Sequence, residues 1–361
     1  MASVTATHRT PKSAKRMSGR DPSVQQSDST PAGMSTASDT EQQIEDLLAT
    51  YRTVPHVLPG RGEPPVETFP GRIVEAGQRE VLLRSTPNFG QPGVRHAVYV
   101  HGLGGAARNW TDLMHLLAPV AGGIAPDLPG FGKSSPPKDG DYSLPAHAQV
   151  VVRLIEDRCV GPVDLFGNSM GGAIATRIAA LRPDLVRTLT LVSPALPDLR
   201  PKLSVAPIIL QSTPLLRDVA RRVLRTGDPE RAVDRMHEAC YADPSLVSAA
   251  RRDEQIEETA WRLRTGVSAV ALRQSARGLV DAYIPGRPGY LWPLAERVEC
   301  PTLAIFGTHD KLVDSRLADR AARSFHNGRV VTLPEMGHVA QLEAPEKVAQ
   351  MVLTMWADTH A

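Results

Sequence analysis

The residues of this chain best placed to do covalent chemistry are a serine set between two glycines, an aspartate and a histidine. The serine is Ser169 in "DLFGNSMGGAIA", with Gly167 and Gly171 two residues to either side. A serine hydroxyl is a poor nucleophile unless a base takes its proton, and the base needs an acid to orient it. The pattern G-x-S-x-G is weak alone and gains meaning from its surroundings. Here an apolar run, "PVDLFGN", predicts a buried strand before the serine, and "MGGAIATRIAAL" predicts a helix after it. So sharp a turn strains the backbone of the serine. Side chains two residues away would collide with neighbouring backbone, which explains the glycines. The turn lifts the hydroxyl to the carboxyl edge of the sheet, over a helix N-terminus. The N–H of Met170 then faces any developing oxyanion.

The base and its acid are expected on loops after later strands of the same sheet. Asp310 stands in "GTHDKLV" after the strand "PTLAIFG", and His338 stands in "PEMGHVAQLEAPEKV" after the strand "GRVVTLP". His309 is the nearest rival base. It directly precedes Asp310, so its side chain is expected to point away from that carboxylate. A second oxyanion donor should come from "HGLGG", His101 to Gly105, whose glycines let the backbone turn an N–H inward. The N–H of Leu103 is the favoured donor, with Gly104 as the alternative, and His101 is expected to brace the loop by hydrogen bonding.

These positions need a scaffold, and the chain supplies alternating strands and helices. "GRIVEAG" and "REVLLRS" predict paired strands. "HAVYVHG", "GGIAPDLPG", "PVDLFGNS", "VRTLTLVSP", "CPTLAIFG" and "GRVVTLPEMG" predict further strands, and most lack polar alternation. Helical spacing fills "NWTDLMHLLAP", "SLPAHAQVVVRLIEDR", "MGGAIATRIAALRP" and "APEKVAQMVLTMWAD", with Ser143 as N-cap of the second and Pro145 in its first turn. The fold class that follows is α/β: a doubly wound, mostly parallel sheet with helices on both faces. Residues 41–196 and 299–361 form its core. Residues 197–298 are Arg-rich and helical with no clear strand, and are expected to form an inserted helical cap. Residues 1–40 are rich in Ser, Thr, Ala and Pro and predict a disordered tail. A short helix around Gln42–Tyr51 follows it.

The 361 residues carry a formal net charge of +2, which gives no reason to expect nucleic acid or a charged membrane surface as the main partner. No apolar run is long enough to cross a bilayer, and no secretory signal is recognisable after the N-terminal basic residues. Peripheral membrane contact stays open, as does the oligomeric state. Cys159, Cys240 and Cys300 are too far apart for a metal motif or a disulfide framework, so the default expectation is a reducing, cytoplasmic setting.

With "HGLGG", "DLPGFGKS", "GNSMGG", "GTHDKLV" and "GHVAQLEAPEKV" in order, the chain resembles α/β-hydrolase fold enzymes with a helical cap. The resemblance covers roughly Gly71 to Trp356. It implies Ser169 as nucleophile, His338 as base and Asp310 as its partner, in the chain order of that class, with no metal or organic cofactor. Asp127, Gly130, Gly132 and Ser134 would shape the loop after a strand, and Lys133 would be a solvated charge. "GNSMGG" is similar both to carboxylesterases of the monoacylglycerol-lipase kind and to C–C hydrolases of meta-ring-fission products. The second group usually carries "HGxGPG" and a Trp after its histidine. Here the loop is "HGLGGA" and the next residue is Val339. Ester hydrolysis on a small, apolar acyl substrate is therefore the expected activity. C–C hydrolysis is the alternative, with thioesterase or amidase chemistry behind it. The apolar cap stretch Leu203 to Leu216 could line an acyl pocket, and Arg217, Arg221, Arg222 and Arg225 are expected to be a solvated face.

Overall fold

The computed structural model describes residues 42–47, 49, 67–198, 202, 228–265, 267–287 and 289–359. The expected tail, the stretch Leu203 to Leu216 and the arginines at 217, 221, 222 and 225 lie outside the described residues. Eight strands form one sheet: β1 (Gly71–Ala76), β2 (Arg79–Ser85), β3 (Arg95–Val100), β4 (Ala121–Pro126), β5 (Val163–Asn168), β6 (Val186–Val192), β7 (Thr302–Gly307) and β8 (Gly328–Leu333). Their spatial order is β1-β2-β4-β3-β5-β6-β7-β8. The β1/β2 and β2/β4 pairs are antiparallel and the remaining pairs are parallel. Every residue of β3, β4, β5 and β7 is buried, as strands covered on both faces must be. β8 is an edge strand with half its residues exposed.

Side chains alternate between two cores, one on each face. Val98, Val100, Leu165, Ala304 and Phe306 belong to one. Ala97, Tyr99, Phe166, Leu303 and Ile305 belong to the other. On the first face lie α2 (Leu144–Arg158) and α3 (Met170–Leu181). On the second lies α1 (Thr111–Leu117), together with a C-terminal helix over Pro345–Asp358. There Tyr99 stacks on Phe166 at 4.4 Å, and the Phe166 ring meets Trp110 and Trp356 edge-on at 6.3 Å each. Ile44, on the helical stretch 42–47, is buried in this second core. Ser143 caps α2, accepting from the Ala146 N–H with Pro145 in the first turn, and fixes where that helix begins.

Between β6 and β7 the described residues hold no strand. They form α4 (Pro229–Cys240), α5 (Ala249–Thr265), α6 (Val267–Asp281) and α7 (Leu291–Ala295). Leu291, Trp292 and Leu294 of α7 are buried in the same core as α3. After β7 come α8 (Leu317–Ser324), α9 (Ala340–Glu343) and α10 (Pro345–Asp358). No helix among the described residues is long and apolar enough to cross a membrane.

The strand order places the chemistry. Chain order reverses at β3, which lies between β4 and β5, so the loops after β3 and β5 emerge side by side at the carboxyl edge. Val100 at the end of β3 is level with Gly167 of β5, and Gly307 at the end of β7 is level with Leu333 of β8.

Candidate active site

Ser169 sits where β5 turns into α3, with φ 53° and ψ −117°. A non-glycine residue at positive φ is held there only by its surroundings, at a cost of order 1–3 kcal/mol. The restraints are visible. Ser169 donates its N–H to Val192 O at 3.0 Å, and its carbonyl accepts from Ala173 and Ala195. A Cβ on Gly167 would lie 2.4 Å from Gly171 O, and one on Gly171 would lie 2.1 Å from Val100 O. Both glycines are thus demanded by close backbone approach rather than by their own φ. Asn168 and Met170 on either side are buried, while Ser169 is partly exposed. The N–H of Met170 opens α3 and has no intrahelical acceptor.

The loop after β3 is fixed by a buried ring. His101 accepts from the Leu128 N–H at Nε2 (2.9 Å), so its proton is on Nδ1, which donates to Gly102 O at 2.7 Å. Burial holds this imidazole below its usual value, which keeps the accepting nitrogen free. Gly102 O also accepts from the Gly105 N–H at 3.0 Å. Because the peptide is planar, pinning that carbonyl turns the N–H of Leu103 to the opposite side, and no described residue accepts from it. Gly102 lies against the elbow: a Cβ there would be 3.1 Å from Ser169 Cβ.

Asp127 and its loop brace this arrangement from below. The Asp127 carboxylate accepts from the Ala107 N–H (2.7 Å) and the Lys133 N–H (2.8 Å). Ser134 donates to Asp127 O and accepts from the Leu82 N–H. Gly132, at φ 51°, is obligatory because a Cβ would sit 2.0 Å from the Asp127 carboxylate. The Lys133 side chain is exposed.

Asp310 and His338 are brought together by the loops after β7 and β8. His338 Nδ1 lies 2.9 Å from Asp310 Oδ2. The other carboxylate oxygen of Asp310 accepts from the N–H groups of Leu312 (2.8 Å) and Val313 (2.9 Å). Burial by itself would raise this carboxyl, but His338 and those two N–H groups outweigh it, and Asp310 lies below the usual carboxylate range. An ionised carboxylate only accepts, so His338 carries its proton on Nδ1 and leaves Nε2 able to take one. Close contact of the two loops depends on Gly307, where a Cβ would meet Met336 O at 2.2 Å. His309 is exposed and its Nδ1 lies beside Thr308 Oγ1 at 3.2 Å, away from this pair.

The link between serine and histidine is one that spacing gives no sign of. Asn168 Nδ2 donates to both Val192 O and His338 O, each at 3.0 Å, and so ties the elbow to the histidine loop. Two further groups were equally silent in the sequence. Arg262 of α5 donates to Gly104 O at 2.7 Å and pairs with Glu258, which also holds Arg108 at 2.8 Å. Glu343 accepts from N–H groups that flank His338. Among the described residues no cluster of three His, Cys, Asp or Glu side chains could hold a metal ion. The three cysteines are unpaired, and burial pushes their thiols up to about 12.

Residues 97–345 match the family model of the alpha/beta hydrolase fold. Among curated relatives, the chain is 29% identical over 271 residues to a dihydrolipoyllysine-residue acetyltransferase component of an acetoin cleaving system from Pseudomonas putida. That match takes in 73% of this chain and spans 64% of the relative's length. It is 27% identical to esterase Rv0045c of Mycobacterium tuberculosis, over 71% of this chain and 80% of the relative. Among solved structures it resembles a membrane phospholipase A described as a bacterial virulence factor. That pair has a TM-score of 0.67 and 24% identity, over 88% of this chain and 92% of the other.

Proposed function

The chain belongs to the alpha/beta hydrolase fold family, and on that premise we propose that it hydrolyses carboxylic esters through an acyl-enzyme on Ser169. The observation that carries the reading is the joined set of loops: Ser169 at a strained elbow, Asn168 bonded to the His338 carbonyl, and His338 bonded to Asp310. Esterase activity is named for one relative at 27% identity.

In this mechanism Ser169 Oγ attacks the acyl carbon while His338 Nε2 takes its proton. Asp310 holds the ring in the required tautomer and stabilises the imidazolium that forms. The oxyanion is received by the N–H groups of Met170 and Leu103. One such donor is worth roughly 3–4 kcal/mol in comparable sites. The intermediate collapses, the ester C–O bond breaks, and the leaving alkoxide takes the proton from His338. A water then gives its proton to His338 and attacks the acyl-enzyme; as the acyl–Oγ bond breaks and the acid leaves, His338 returns that proton to Ser169 Oγ. The described helices between β6 and β7 serve as a cap over this edge, and the natural substrate class is a small lipid-like ester of the monoacylglycerol kind. Hydrolysis of a C–C bond in a ring-fission dienone would call for a free cation to hold the substrate carboxylate. Arg262, the described arginine of the insertion that bonds to the oxyanion loop, is instead engaged by Glu258 and by Gly104 O.

The test is kcat/KM measured side by side on monoacylglycerols of increasing chain length and on a ring-fission dienone. Esters are expected to be preferred. A preference of about tenfold or more for the dienone, roughly 1.4 kcal/mol, overturns the ester assignment.

A further inference from the structure

Glu343 ends α9, five residues after His338, and is only 7% exposed. Its carboxylate spends its acceptor capacity on backbone N–H groups from two parts of the molecule. From the histidine loop, the Gly337 N–H is shared between Oε1 at 3.1 Å and Oε2 at 3.2 Å, and the Val339 N–H reaches Oε1 at 3.4 Å. From the helical insertion, the Ala242 N–H donates to Oε2 at 2.9 Å. A second bond runs the opposite way across the same seam: His338 donates its own N–H to Cys240 O at 2.7 Å. Gly337 makes the close approach feasible, since a Cβ there would lie 2.5 Å from Ala242 N and 2.7 Å from Glu343 Oε1. The N–H groups of the residues on both sides of His338, Gly337 and Val339, are therefore held by one buried carboxylate, and that carboxylate also holds the segment that follows α4.

We propose that Glu343 is a positioning residue that makes the placement of His338 conditional on the docking of the helical insertion. The proposal rests on His338 being the base of the serine hydrolase described above. Asp310 sets the ring's tautomer and Asn168 holds the His338 carbonyl, whereas among the described residues the hydrogen bonds from this loop to the insertion run through Glu343 and Cys240 O. Undocking α4 would remove the acceptor of the His338 N–H and one of the three donors to Glu343. The carboxylate would then be free to turn toward solvent, and Nε2 would lose its register with Ser169. Substrate entry and base alignment are thereby coupled through backbone bonds, with no side chain of Glu343 touching substrate.

Glu343→Gln keeps the size but turns an NH2 group toward N–H donors, and Glu343→Ala removes the bonds. The active-site concentration of each variant is first titrated with a fluorophosphonate, and kcat is expressed per labelled serine on a p-nitrophenyl ester. We expect kcat per labelled serine to fall roughly 10- to 100-fold, the scale of a small misplacement of a reacting group, with KM changed by less than about threefold. The rate constant of labelling should fall in parallel. A merely structural Glu343 would lower the melting temperature and the labelled fraction but leave kcat per labelled serine unchanged, and that result overturns the proposal. If the variants do not fold, amide exchange in the wild-type chain decides. The N–H groups of Ala242, Gly337 and His338 must open with one common free energy, and independent opening contradicts the coupling. A wild-type chain that is not labelled at all removes the serine-hydrolase reading, and the positioning role with it, which is a different outcome from labelling with unchanged kcat.

Discussion

Asp310 is a buried carboxylate stabilised in its charged form by His338 and two backbone N–H groups, and this makes it a source of pH-dependent stability. Its folded-state pKa lies below its ordinary value of 3.8. A carboxyl shifted this way contributes its stability above the ordinary value and loses it as pH falls through the lower, folded one. Melting temperatures of wild type and Asp310→Asn should therefore differ most near neutral pH and converge as pH falls below 3.8; curves that stay parallel through that fall would deny the shift. At the same scale, Ser169, Gly167 and Gly171 were legible in the sequence because the motif is local and sterically dictated. Asp310 and His338 were legible because they stand just past strand ends. Asn168 was not, because in G-x-S-x-G it occupies a position that the pattern leaves free. Its bond to His338 O spans 170 residues of sequence, and no short-range spacing encodes such a pair. Glu343 and Arg262 escaped notice for the same reason.

Elements were easier to read than their order. Each expected strand is present, and β3, β4, β5 and β7 were the plainest to read, because burial on both faces leaves an uninterrupted hydrophobic signature. That β4 lies outside β3 was hidden, since strand order depends on which faces pack and not on any one segment. Also hidden was the polar contact between α2 and α6. His147 of α2 is fully buried, with Nε2 2.9 Å from Ser275 Oγ, and no described residue partners its Nδ1. Burial, with smaller contributions from His101 and Arg79, brings this imidazole down to about 3. A histidine lowered in this way favours folding fully only above its ordinary value of 6.5, and stability drains away as pH falls from there toward about 3. Ser275→Ala leaves a second buried nitrogen without a partner and should cost about 1–3 kcal/mol. Urea denaturation at pH 7 measures this, and an unchanged midpoint and slope would contradict the account of the contact.

For the whole molecule, two sets of loops from opposite halves of the chain close over one sheet edge, and helices inserted between β6 and β7 are bonded into both. Gly104 O is held by Arg262 of α5, and the histidine loop is held to the segment after α4. The described fold begins its packing at Ile44, which is 1% exposed. Composition sets residues 1–40 apart from this core. Deleting Met1–Thr40 should leave the melting temperature and esterase activity unchanged, whereas Ile44→Ala should cost about 2–5 kcal/mol. Loss of activity on the deletion alone would contradict that division. The central claim is that Ser169 carries the acyl group, and intact-mass and peptide mapping after fluorophosphonate treatment tests it most directly. The account predicts one adduct, on Ser169, formed in step with loss of ester turnover. It also predicts that Ser169→Ala stays folded, takes up no label and turns over at least about 10⁴-fold more slowly. An unlabelled Ser169, or a Ser169→Ala variant that keeps most of its activity, would contradict it.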